Sequence, residues 1–124
     1  MSRAEFRCQA VVQFLPEQSH LPDGPFAYAY TITVHNTGDV TAQLVARRWL
    51  VADSAGLTEE VRGLAVVGQQ PVLKPGEKFE YTSWTRLATA QGTMRGTFYC
   101  MTEDARPFEA EVPEFMLARS QALH

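Results

Sequence analysis

The stretch Phe26-Ala27-Tyr28-Ala29-Tyr30-Thr31-Ile32-Thr33-Val34-His35 decides the fold class. Aromatic and aliphatic side chains fill its even positions, and small or polar ones fill its odd positions. Successive side chains of a strand point to opposite faces, so a period of two predicts a long strand with one dry face. Aromatic and β-branched residues also suit a pleated, half-buried surface.

Working outward, Phe6, Cys8, Ala10, Val12 and Phe14 repeat the spacing upstream, and Pro16 to Pro25 reads as a loop. Downstream, Asn36-Thr37-Gly38-Asp39 supplies turn residues, with Gly38 free to take a positive φ. A strand is expected from Val40 to about Ala52, closed by the hairpin loop Asp53-Ser54-Ala55-Gly56, with Leu57 to Arg62 as its partner. Gly63 to Gly68 predicts a partly buried loop packing Leu64, Val66 and Val67. Gln69 to Leu73 predicts a short edge strand, because Pro71 cannot donate to a central ladder. Lys74-Pro75-Gly76-Glu77 fits a type II turn.

Alternation then returns three times: Phe79, Tyr81, Ser83, Thr85 and Leu87; Met94, Gly96, Phe98 and Cys100; Phe108, Ala110 and Val112. Seven or eight strands with one dry face each must stack those faces. The expectation is an all-β, immunoglobulin- or fibronectin-III-like two-sheet sandwich, with a small barrel as the rival. One stretch breaks the pattern. In Leu44-Val45-Ala46-Arg47-Arg48-Trp49-Leu50-Val51 both parities carry apolar residues, and a bulge near the arginines would shift the facing and bury Trp49.

A chain of 124 residues with a net charge of −3 is the size of one domain. Its eleven basic residues are scattered, which argues against nucleic acid as a partner. No run approaches the roughly 18 apolar residues that a membrane-spanning helix needs. Met1-Ser2-Arg3-Ala4-Glu5 leads into alternation rather than an apolar block, so a cytoplasmic location is expected. Cys8 and Cys100 are then expected as free, partly buried thiols rather than a disulfide.

Several blocks, in order, resemble the ApaG domain family. They are Arg48-Trp49-Leu50, Glu60-Val61-Arg62-Gly63, Val66-Val67-Gly68-Gln69-Gln70-Pro71, Leu73-Lys74-Pro75-Gly76-Glu77, Phe79-Glu80-Tyr81-Thr82-Ser83, Gly92-Thr93-Met94-Arg95-Gly96 and Val112-Pro113-Glu114-Phe115. The resemblance spans about residues 5 to 118, within a single domain over 1–124. It implies a fibronectin-III-like sandwich in a bacterial cytoplasmic protein encoded beside enzymes of dinucleoside-polyphosphate metabolism and RNA methylation. It implies an indirect link to cobalt and magnesium efflux phenotypes. Eukaryotic relatives in F-box proteins and a DNA-polymerase-delta-interacting protein imply protein interaction. No catalytic residues come with it.

The candidate sites are few. The family often reads Gly-x-Gly-x-x-Gly where this chain has Gly63-Leu64-Ala65-Val66-Val67-Gly68. A dinucleotide fingerprint needs a following helix, which Pro71 forbids, although backbone amides of a loop could still hold an anion such as pyrophosphate. Arg47 or Arg48, Arg86 and Arg95, with Trp84 beside Arg86, could gather guanidinium groups near an indole; pairing with Glu80 or Glu109 is the plainer reading. His20, His35 and His124 show no metal-ligand spacing, and Glu59-Glu60 and Glu103-Asp104 read as turn charges, so no metal or cofactor is expected. Ser83 sits outside any nucleophile elbow, and Glu109 and Glu111 share a wet face. The resemblance, together with the lack of a catalytic constellation, thus implies a non-enzymatic module for an unidentified protein partner, with a small anionic ligand as the alternative. Its sheet edges also allow self-association.

Overall fold

A computed structural model describes residues 2–119. Eight strands run in chain order: β1 (Phe6–Leu15), β2 (Phe26–Asn36), β3 (Ala42–Asp53), β4 (Thr58–Leu64), β5 (Val72–Leu73), β6 (Lys78–Leu87), β7 (Gly92–Thr102) and β8 (Pro107–Leu117). The described helical structure is one 3-10 turn at Pro16–Gln18. The smaller sheet is ordered β1-β2-β6. The larger is β4-β3-β7-β8, with β5 continuing the β4 side of β3, and every pairing is antiparallel.

The dry faces meet as the alternation requires. Tyr28, Tyr30, Ile32 and Val34 of β2 are buried against Trp49 and Val51 of β3 and Met94, Phe98 and Cys100 of β7. Trp49 lies at the centre, edge-on to Tyr30, Phe98 and Phe115 with ring centroids 5.6, 5.8 and 6.3 Å away. Gly96 exists to admit it: a Cβ there would overlap Trp49 Cε3. Phe6 and Phe108 meet edge to face at 5.3 Å and close the sandwich along its β1–β8 side. Cys8 and Cys100 are free thiols, the first half-buried and the second buried.

Four expectations change. β4 continues through Gly63 and Leu64, and β8 continues to Leu117 because a second irregularity, opposite Met94 to Gly96, moves its dry parity to Phe115 and Leu117. The bulge expected near the arginines is present, at Val45 between Leu44 and Ala46, and Trp49 is buried beyond it as expected. Gly38 does not take a positive φ; it is glycine because a Cβ would strike the carbonyl of Arg3. Of the loop residues expected to pack, Val66 alone is buried, while Leu64 and Val67 face solvent. The predicted turns hold, with Gly56 and Gly76 at φ of 92° and 88° and Glu77 N–H donating to Lys74 O at 2.9 Å.

Candidate interaction surfaces

The Val45 bulge decides where the arginines point. It advances the pleat by one residue, so Arg47 joins Trp49 and Val51 on the inner side and Arg48 joins Ala46 and Leu50 on the outer side. The displaced carbonyl of Val45 accepts from Ala65 N–H at 2.8 Å and from Gln70 Nε2 at 3.0 Å, which sews the 65–71 loop onto the bulge. Arg47 Nη1 donates to the carbonyls of Leu64 and Ala65 at 3.0 and 2.9 Å. Gly63, opposite Arg47 in the register, leaves room for it: a Cβ there would lie 2.6 Å from Nη1.

The outer face of the larger sheet carries the other half of the set. Glu60 Oε2 accepts from Arg48 Nε at 2.5 Å and from Arg62 Nε at 2.7 Å. The Arg48 hydrogen bond, then that of Arg62, holds the Glu60 carboxyl below its ordinary range. Arg48, Leu50, Arg95, Thr97 and Glu111 line a shallow pocket of about 150 Å³. Thr97 donates to Glu111 at 3.2 Å, and Arg95 has no ion-pair partner among the described residues. Arg86 and Trp84 lie elsewhere, on the outer face of the smaller sheet, with the guanidinium 4.9 Å from the indole centroid. The predicted arginine cluster is therefore divided among three places. Neither Glu80 nor Glu109 is the partner: Glu80 accepts from Thr33, and Arg48 takes Glu60. Ser83 lies on β6, and Glu109 and Glu111 are exposed on β8.

Sequence reasoning missed the other end of that outer face. Ala46 pairs with Leu64 and Tyr99, and Gln43 pairs with Val72 and Met101. Leu64, Val72 and Met101 share the outer side, and Val67 tips the adjoining turn; all four are exposed. Thr41, Val72, Met101 and Ala105 help line a hollow of about 360 Å³. Met101 stood on the wet parity of its strand in the sequence, which was the available signal. No group of three or more His, Cys, Asp or Glu among the described residues could hold a metal ion, and His124 lies outside them.

Residues 16–102 match the family model of the ApaG domain. The chain belongs to the ApaG domain family. Protein ApaG of Ralstonia nicotianae is 52% identical over 124 residues, all of both chains. Protein ApaG of Dechloromonas aromatica is 53% identical over 116 residues, covering 94% of this chain and 91% of its own. The crystal structure of the ApaA protein from Bordetella pertussis superposes with a TM-score of 0.89 at 43% identity, covering 96% and 97% of the two chains.

In this ApaG domain the glycine pattern has a backbone cause. Val67 and Gly68, at φ of 42° and 81°, form a two-residue turn in which Val66 and Gln69 exchange both backbone hydrogen bonds, at 2.8 and 2.9 Å. Ala65, the position of the absent middle glycine, has φ of 68°. Left-handed backbone at 65 and 68, and a close approach at 63, each favour glycine without any ligand. The amides of Ala65, Val66 and Gln69 are spent inside the chain rather than aimed together at an anion.

Proposed function

We propose that this ApaG domain is a non-enzymatic docking module of the cytoplasm, holding a partner protein on the apolar end of its larger sheet's outer face. One observation carries the reading. Leu64, Val72 and Met101, at 73%, 58% and 39% exposure, share one end of the outer face, flanking Ala46 and Gln43 of β3, instead of scattering. A contiguous exposed apolar patch rimmed by charge is the usual anatomy of a protein interface. Arg48, Glu60, Arg62 and Arg95 supply the rim. Any effect on cobalt or magnesium resistance would then run through the partner, because moving an ion across a bilayer takes a membrane-spanning structure. The competing reading, an anion or nucleotide at Gly63–Gly68, has less support, since three of the loop amides and Arg47 Nη1 already have acceptors.

A photo-reactive residue in place of Met101, activated in living cells, tests the proposal. The expected result is one dominant crosslinked protein that disappears in the Leu64→Asp, Val72→Asp double variant. That variant should change unfolding free energy by no more than about 1 kcal/mol, about 0.5 for each exposed site. Equal crosslinking with and without the two substitutions removes the outer face from consideration.

A further inference from the structure

The two sheets are unequal, and the mismatch leaves a groove on the side opposite β1 and β8. Beyond β3 the larger sheet adds β4, while the smaller sheet stops at β6. None of the seven residues of β4 is buried. Asp53, Leu57, Thr58 and Glu59 on the β4 side face Arg86, Leu87 and Ala88 at the end of β6 across a space of about 310 Å³. Further along lies Arg47, on the inner side of β3. It acts electrostatically on the hydroxyl groups of Tyr30 and Tyr81. The Tyr81 hydroxyl is buried and has no hydrogen-bond partner. Nε and Nη2 of Arg47 likewise donate to no acceptor among the described residues.

The edges of the sandwich differ in how they are guarded. β8 carries Pro107 and Pro113 and a break in register, and β1 packs beside β8. Prolines, bulges and coverage are the usual means of blocking an edge. β6 has none of these. It pairs with β2 without interruption from Lys78↔His35 to Leu87↔Phe26, and contains no proline. Among the described residues no loop or strand takes the backbone groups that point away from β2.

The geometry points to this groove as the seat of an extended segment of another protein, added as a fourth strand at β6 and recognised by a carboxylate side chain set opposite Arg47. Unpaired N–H and C=O groups in a row select polypeptide in extended form. The unused Nε and Nη2 donors of Arg47 select an acceptor-only side chain, and guanidinium pairs bidentately with carboxylate. Inward and outward positions alternate along a strand, so the residues flanking the acid lie outward beside Trp84, whose 53% exposure suits an apolar neighbour. The recognised pattern is apolar, Asp or Glu, apolar, without proline. This surface is separate from the outer-face patch, and its success or failure leaves that patch untouched.

Selection of a displayed library of random nonapeptides on the full chain, followed by synthesis of the most enriched peptide, tests the inference. The expected peptide contains the acid flanked by apolar residues and shifts the backbone amide resonances of β6 and β4. N-methylation should weaken it at least tenfold at alternate positions, and replacing its acid by the amide should do the same. The Val72→Asp single variant, which alters the outer-face patch and lies outside the groove, should bind it unchanged. Three outcomes overturn the inference: no enrichment above the unselected library, shifts confined to the outer face of β3 and β7, or a dimer in which β6 is protected by a second copy at the concentrations used.

Discussion

At Asn36 one buried residue ties two turns together. Its amide donates to the carbonyls of Val40 and Leu73 at 3.0 and 2.9 Å, its carbonyl accepts from Gly38 N–H at 2.9 Å, and its backbone pairs with Glu77 and Gly76. Asn36→Ala would strand two carbonyls, one of them fully buried, and should cost about 3 kcal/mol in a urea titration. In the sequence Asn36 looked like an ordinary turn residue; the Leu73 carbonyl that makes it a hub comes from 37 residues away. The thiols make the second prediction at this scale. Burial pushes both Cys8 and Cys100 up to about 12 from an ordinary 9.0. Thiolate is the reactive form, so both should resist a thiol reagent at pH 8 in the native chain and react fast in denaturant. The folded chain holds these protons more tightly than the unfolded one. Their contribution is therefore whole below pH 9 and drains away as the pH climbs toward 12, and alkaline titration of stability should decline there.

Among the elements, the hairpin after β4 carries the most informative strain. Ala65 and Val67 hold positive φ, which costs an L-residue about 1–2 kcal/mol. Ala65→Gly should stabilise the chain by about 0.5–1 kcal/mol, the relief of strain exceeding the added entropy of the unfolded glycine. A thermal midpoint that falls instead would show that Ala65 earns its place through packing. The sequence offered Gly63, Ala65 and Gly68 as a weakened phosphate motif; the structure assigns each a conformational or steric cause. Strand existence was readable because alternation reports facing directly. The bulge was readable as a conflict of parity, but its position at Val45 was not. That choice depends on Ala65 and Gln70 reaching the displaced carbonyl, and those residues arrive only once β4 has returned.

For the molecule as a whole, Trp49 joins the sheets, touching a ring on β2, on β7 and on β8. Trp49→Ala should cost about 3–5 kcal/mol of unfolding free energy, measured by the same titration, while Trp84→Ala on the exposed face should be close to neutral. The amino-acid order alone determined the class of fold, the turns and nearly all the inward-facing residues, because side-chain facing in a strand is a local consequence of pleating. Tertiary structure decided what lies next to what. Arg47, Arg48, Arg86 and Arg95 looked equivalent along the chain and were separated by one bulge and by the sheet each strand joined. The apolar end of the outer face and the open groove beside β6 were decided in the same way. Both depend on which strands pair and which edges stay uncovered, and those are long-range choices that no local pattern encodes.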